Sequence, residues 1–181
     1  MVILGPPGGP SYPESFTASV ATCVGAVGTP ATLTIPSSNA PALGCQNWQS
    51  NGQGYLSFQK DAVSPQYALG VETLPAAWVG SDLTLTYFAT YTSGDATWEI
   101  ETGCSMGAGP FSYGHPLSVT AVVSAVSGTP VNTGTVSNIA TNGSNGCAPG
   151  AVLHYRIFRS TFDSLAGEAY LIGITMTRRT S

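Results

Sequence analysis

Apolar and polar residues alternate in short runs along most of the chain. In Asp82-Leu83-Thr84-Leu85-Thr86-Tyr87, the residues Leu83, Leu85 and Tyr87 share one side and Thr84 and Thr86 the other. That is the two-residue period of a half-buried strand. The run 151–159 repeats it, with Leu153, Tyr155 and Ile157 opposed to Val152, His154, Arg156 and Phe158. Shorter runs at 31–35, 54–60, 96–101, 117–125 and 134–139, and a longer one at 168–178, are also rich in β-branched and aromatic residues, as strands are. Ser93-Gly94-Asp95 separates two alternating runs and predicts a hairpin between them. Single helical turns are expected at 74–79 and 160–167, and no longer helix. About eight strands make an all-β chain, an antiparallel β-sandwich of the jelly-roll type. Immunoglobulin-like topology is the competitor, weakened by the missing Cys…Trp…Cys spacing.

The first 30 residues break the pattern. Pro6, Pro7, Pro10 and Pro13 remove backbone donors and exclude a helix there, leaving at most one short strand at 15–24. Val2, Ile3, Leu4, Tyr12 and Phe16 make the segment apolar, with Glu14 its one charge. Residues 1–30 are therefore expected to form an extended assembly arm and residues 31–181 the sandwich domain. Residues 1 to about 15 would lie on a neighbouring subunit, which makes the chain its own partner in a homo-oligomer.

Composition narrows the function. Only 8% of the 181 residues are charged, against 22 glycines and 13 prolines, where an ordinary soluble domain has about 25% charge. The polar surface must be built from hydroxyls and backbone. Five basic residues in a chain of net charge −4 supply no basic patch, so no nucleic-acid partner is expected. No apolar stretch reaches the length of a membrane span. No signal peptide is visible before Gly5-Pro6-Pro7, so the expected location is a virion, or the medium after lysis.

Cys23, Cys45, Cys104 and Cys147 are widely spaced and contain no close pair of the kind zinc sites use. Their loop-like neighbours favour disulfides over buried thiols. Cys104–Cys147 and Cys23–Cys45 are the first pairing to consider within one subunit, and bridges between subunits are the alternative. His115 and His154 are the only histidines, and Glu99 and Glu101 stand on one strand face; neither set forms an acid–base or metal constellation, so no catalysis, metal or cofactor is expected. Arg156, Arg159 and Asp163 are candidates for a carboxylate–guanidinium clamp pinning a loop.

Gly94-Asp95-Ala96-Thr97-Trp98, with Arg156…Arg159, Asp163, Gly167, Ala169 and Leu171, resembles a group of bacteriophage tail-fibre, appendage and virion-decoration domains over about residues 82–178. The resemblance implies a non-enzymatic, self-assembling virion protein with other virion proteins as partners. The alternatives are a carbohydrate- or receptor-binding sandwich that meets host glycans through exposed Trp48, Trp78 or Trp98, and a subunit of an extracellular donor-strand filament.

Overall fold

A computed structural model of the chain describes residues 14–24, 27–30, 33–48, 51–59, 64–89, 94–105, 117–122, 132–143 and 147–180. These hold twelve strands and no helix: β1 (Glu14–Ser19), β2 (Ala21–Val24), β3 (Val27–Pro30), β4 (Ala42–Trp48), β5 (Asn51–Phe58), β6 (Tyr67–Thr73), β7 (Trp78–Ala89), β8 (Asp95–Ser105), β9 (Leu117–Val122), β10 (Asn132–Thr141), β11 (Val152–Arg159) and β12 (Ala169–Thr180). The larger sheet runs β10-β7-β12-β5-β4, with β1 also on β12; the smaller runs β6-β11-β8-β9; β2 and β3 form a separate ribbon. All these strand pairs are antiparallel. The chain is a β-sandwich, as its alternation predicts.

Two-residue alternation builds the core. Leu83, Leu85 and Tyr87 from β7, Leu171, Ile174 and Met176 from β12, and Leu56 and Phe58 from β5 are buried on the larger sheet. A bulge between Leu171 and Gly173 shifts the register of β12, which is how Leu171 and Ile174, three residues apart, both reach the interior. From the smaller sheet come Ala96, Trp98 and Ile100 on β8 and Leu153, Tyr155 and Ile157 on β11. Trp98 sits where the layers meet, edge-on to Phe58 at 5.1 Å and Tyr87 at 5.5 Å between ring centroids. An ion pair of 2.8 Å joins Arg178 on the larger sheet to Glu72 on the smaller. Burial pushes the Tyr87 phenol up to about 12. Burial, and then the nearby Glu72 carboxylate, raises Tyr155 as well.

The structure corrects several expectations. The predicted hairpin across Ser93-Gly94-Asp95 does not form: β7 pairs with β10 and β12, β8 with β9 and β11. Each strand has one apolar face, and the two faces bury each other across the sandwich instead of lying side by side. The expected helical turns are absent. Trp78 N–H donates to Pro75 C=O in a tight turn, and Trp78 already belongs to β7; the segment 160–167 is turn and irregular backbone. Strands β3, β4 and β6 are not among the expected ones, and the expected strand at 31–35 reduces, among its described residues, to an isolated bridge between Thr34 and Leu69. The arm boundary also moves, because β1 pairs with β12 of its own domain from Glu14↔Arg178 to Ser19↔Gly173. Phe16 thus takes a ladder position opposite Met176 in its own sheet. Residues 1–13, which carry the rest of the proposed assembly arm, lie outside the described residues.

Hydroxyl pairs line much of the outer face of the larger sheet, beside an ion pair of 3.4 Å between Arg179 and Asp82. Thr17 bonds Thr175 at 2.8 Å, Ser15 bonds Thr177 at 2.9 Å, and Thr84 bonds Thr135 at 2.7 Å. Thr175 stands opposite Thr84, so one row of threonines crosses β1, β12, β7 and β10. Such cross-strand hydroxyl pairs support a sheet without ionised groups.

Candidate functional site

The smaller sheet has a different outer face. On β11 the side chains that alternate away from the core are His154, Arg156 and Phe158. Register sets Phe158 between Tyr67 of β6 and Glu99 of β8, and Arg156 between Leu69 and Glu101. Arg156 Nε donates to Glu101 Oε2. The guanidinium carbon lies 5.7 Å from the centroid of Tyr67 and 5.6 Å from that of Phe158, within the range of cation–π attraction. Two rings, a cation and a carboxylate are thus gathered by pairing alone.

A connection closes the site on one side. Tyr67 N–H donates to Asn39 C=O at 3.0 Å and Gln66 Nε2 to Ala40 C=O at 3.1 Å. Asn39 has a φ of 54°, a left-handed conformation that asparagine tolerates better than most residues. The result is a cavity of about 210 Å³ lined by Asn39, Pro65, Tyr67, Glu101, Arg156 and Phe158. Apolar walls with a few convergent donors and acceptors are the usual make-up of a small-ligand site. Further along β11, His154 Nε2 and Ser105 Oγ are 3.2 Å apart. Among the described residues no three His, Cys, Asp or Glu side chains are grouped to hold a metal ion.

The arginine clamp forms, but with one arginine. Arg159 grips Asp163 through two bonds, Nε to Oδ2 at 2.6 Å and Nη2 to Oδ1 at 2.7 Å. It also donates to the carbonyls of Phe58, Leu165 and Gly167. The pair is buried, with 1% and 0% of the side chains exposed. Arg156, three residues earlier and on the other face, pairs with Glu101 and is 34% exposed. Cys23 is bonded to Cys45 and Cys104 to Cys147. The first bridge ties the β2–β3 ribbon to β4; the second ties the end of β8 to the turn before β11.

Trp78 and Trp98, proposed above as exposed sugar platforms, are core residues with no exposed surface. Both lie on inward positions of their strands, and Trp78 Nε1 donates to Ser81 Oγ inside the fold. The Trp48 side chain and His115 lie outside the described residues. Aromatics on outward positions are instead half-buried Tyr67 and Phe158, the latter only 8% exposed, on the smaller sheet, and Tyr55, Phe88 and Tyr170, packed ring to ring, on the larger. Sequence reasoning passed over Tyr67 and Phe158, although the outward parity of Phe158 beside Arg156 is readable from the alternation of 152–158.

No family model and no curated protein matches the chain. Among solved structures, it is similar to the CBM22-1 xylan-binding domain of Paenibacillus barcinonensis Xyn10C, with a TM-score of 0.51, 13% identity, and coverage of 96% of this chain and 99% of that one. The fold is one found in carbohydrate-binding modules. Weaker likenesses are to Arthrobacter globiformis T6 isomalto-dextranase complexed with panose (TM-score 0.47, 14% identity, 92% of this chain and 33% of that one). A non-crystalline cellulose specific module, CBM28, follows (TM-score 0.44, 7% identity, 78% and 83%).

Proposed function

We propose that this chain is a non-catalytic carbohydrate-binding module whose ligand enters the cavity on the outer face of the smaller sheet. One observation carries the reading: Tyr67 and Phe158 share that cavity with the Arg156–Glu101 pair and Asn39. Sugars combine apolar C–H faces with dense hydroxyls. The rings suit the former; a guanidinium, a carboxylate and an amide, with planar and directional donors and acceptors, suit the latter. Glu99 and Glu101 outnumber Arg156 on this face, which favours a neutral glycan over an acidic one. The sandwich likeness to a xylan-binding domain supports the class of ligand. The two disulfides fit an oxidising, extracellular setting. The self-assembling virion role drawn first from the sequence gains no support from the solved structures, and the glycan-binding alternative takes its place as the working reading.

A glycan array, followed by calorimetric titration with soluble oligosaccharides, tests the proposal. Saturable binding of a neutral glycan, lost in Tyr67→Ala and Arg156→Ala, is expected. An array with no binding, or binding undiminished in both variants, overturns it.

A further inference from the structure

The loop that follows β11 holds Phe162 with 95% of its surface exposed. A lone exposed apolar side chain is ordinary on a protein surface, but this one stands on an unusually constrained loop. The buried Arg159 guanidinium binds Asp163 and the carbonyls of Leu165 and Gly167 on that same loop. The N–H groups of Ser164 and Leu165 donate to Asp95 C=O at 3.2 and 3.1 Å, and Asp95 N–H donates to Ser164 Oγ at 2.8 Å. Phe162 N–H donates to Ser160 Oγ at 3.3 Å. Opposite, Gly94 has a φ of 104°, and a Cβ there would come within 2.7 Å of Ser164 C=O. Burying an arginine–aspartate pair is costly unless every group is satisfied, and here the pair fixes the backbone on both sides of a ring that is 95% exposed. A loop backbone already held in place loses little further entropy when its exposed ring meets a partner.

Its position suggests the partner. β11 ends at Arg159, so the loop leaves the sheet at the end where Phe158 and Tyr67 line the cavity. Phe162 follows Phe158 by four positions, so their Cα atoms lie no more than about 14 Å apart. A short oligosaccharide can reach across that distance. We infer that Phe162 is a second stacking platform for a glycan chain whose first unit occupies the Tyr67–Phe158–Arg156 cavity, so that the module recognises an oligosaccharide instead of a single sugar. The inference rests on the glycan-binding reading above.

Wild type, Phe162→Ala, Phe162→Trp and Tyr67→Ala are titrated with the monosaccharide and hexasaccharide of the neutral β-1,4-linked xylose, glucose, mannose and galactose series. For the series that binds, Phe162→Ala should lose roughly tenfold in hexasaccharide affinity, the size of one good aromatic contact. Its monosaccharide affinity should be unchanged, Phe162→Trp should retain the hexasaccharide, and Tyr67→Ala should weaken both. Equal hexasaccharide affinity in wild type and Phe162→Ala, with Tyr67→Ala still impaired, overturns the second platform and leaves the cavity standing. No binding to any of the eight sugars, or full binding by Tyr67→Ala, overturns the glycan reading and this inference with it.

Discussion

Two arginines three residues apart on β11 have opposite surroundings. Arg159, at the end of the strand, is sealed in the fold with all its partners supplied by the chain: one carboxylate and three carbonyls. Arg156 is a third exposed, has Glu101 on one side and two rings nearby, and borders a cavity. In a chain with five basic residues, the fold thus encloses one of these identical side chains and leaves the other at the edge of a cavity. Parity along one strand, followed by its termination, separates the two. Arg156 alternates outward, while Arg159 sits where the strand ends and a loop folds back over it.

Removing Arg159 should have the largest effect. Arg159→Ala leaves Asp163 buried and unpaired and should cost about 3–5 kcal/mol, read by urea denaturation. The double variant Arg159→Met/Asp163→Leu should be less damaging than either single change; a double variant worse than both would show that the carbonyl contacts of Arg159, and not its charge pair, hold the loop. The opposite end of β11 is tied down by Cys104–Cys147, whose partners are 43 residues apart. Reducing that bridge, or replacing both cysteines with alanine, should cost about 2–4 kcal/mol by releasing the unfolded chain. Equal stability with and without reductant would remove the bridge from the comparison.

Arg156→Ala should reverse the profile. Its stability should fall by no more than about 1 kcal/mol, because a partly exposed ion pair contributes little. Glycan affinity should drop by roughly 10²-fold, as expected for a desolvated anchor worth ≥2 kcal/mol. A large stability loss with unchanged binding would place Arg156 with Arg159.

The core between the two faces should show its own pH dependence. Tyr87 and Tyr155 are both raised above the ordinary phenol value of 10.0, so the folded protein keeps them protonated where the unfolded chain would ionise. Their contribution is complete below pH 10 and is lost as pH climbs from 10 towards 12 and above. The slope should approach about 1.4 kcal/mol per pH unit for each tyrosine. Ultraviolet titration of the phenolates should show both ionising only with unfolding; free titration near pH 10 would contradict it. The smallest effect should come from Thr84→Val on the opposite sheet. It removes the exposed bond to Thr135, should change stability by at most about 0.5 kcal/mol, and should leave glycan affinity untouched.

Much of the sandwich is legible in the chain, and the exceptions share a cause. β7, β8 and β11 announce themselves because each has one face of regularly spaced apolar side chains, and β12 does so through its long β-rich run although a bulge breaks its spacing. β4 and β6 do not, because Gly44 and Gly70 interrupt them. In the fold Gly44 stands opposite Tyr55, and Gly70 opposite Tyr155. Each tyrosine ring occupies the space a Cβ would need. The missing side chain is supplied by the partner strand, and no local window contains both members of the pair. The candidate site was hidden in a similar way. Arg156 and Phe158 are near neighbours in sequence, but Glu101, Tyr67 and Asn39 reach them only through cross-strand register and a long connection.

The sequence by itself determines the all-β class, the inward sets of β7 and β11, and the scarcity of charge. These follow from period and composition, which are local or additive. Tertiary structure alone decided that β7 and β8 face each other across the core instead of forming a hairpin. It also buried Trp78 and Trp98 and assigned one arginine to a clamp and the other to a cavity. Those outcomes depend on which apolar face covers which, a choice between pairings of similar local propensity that is settled only when all the faces compete for the same interior.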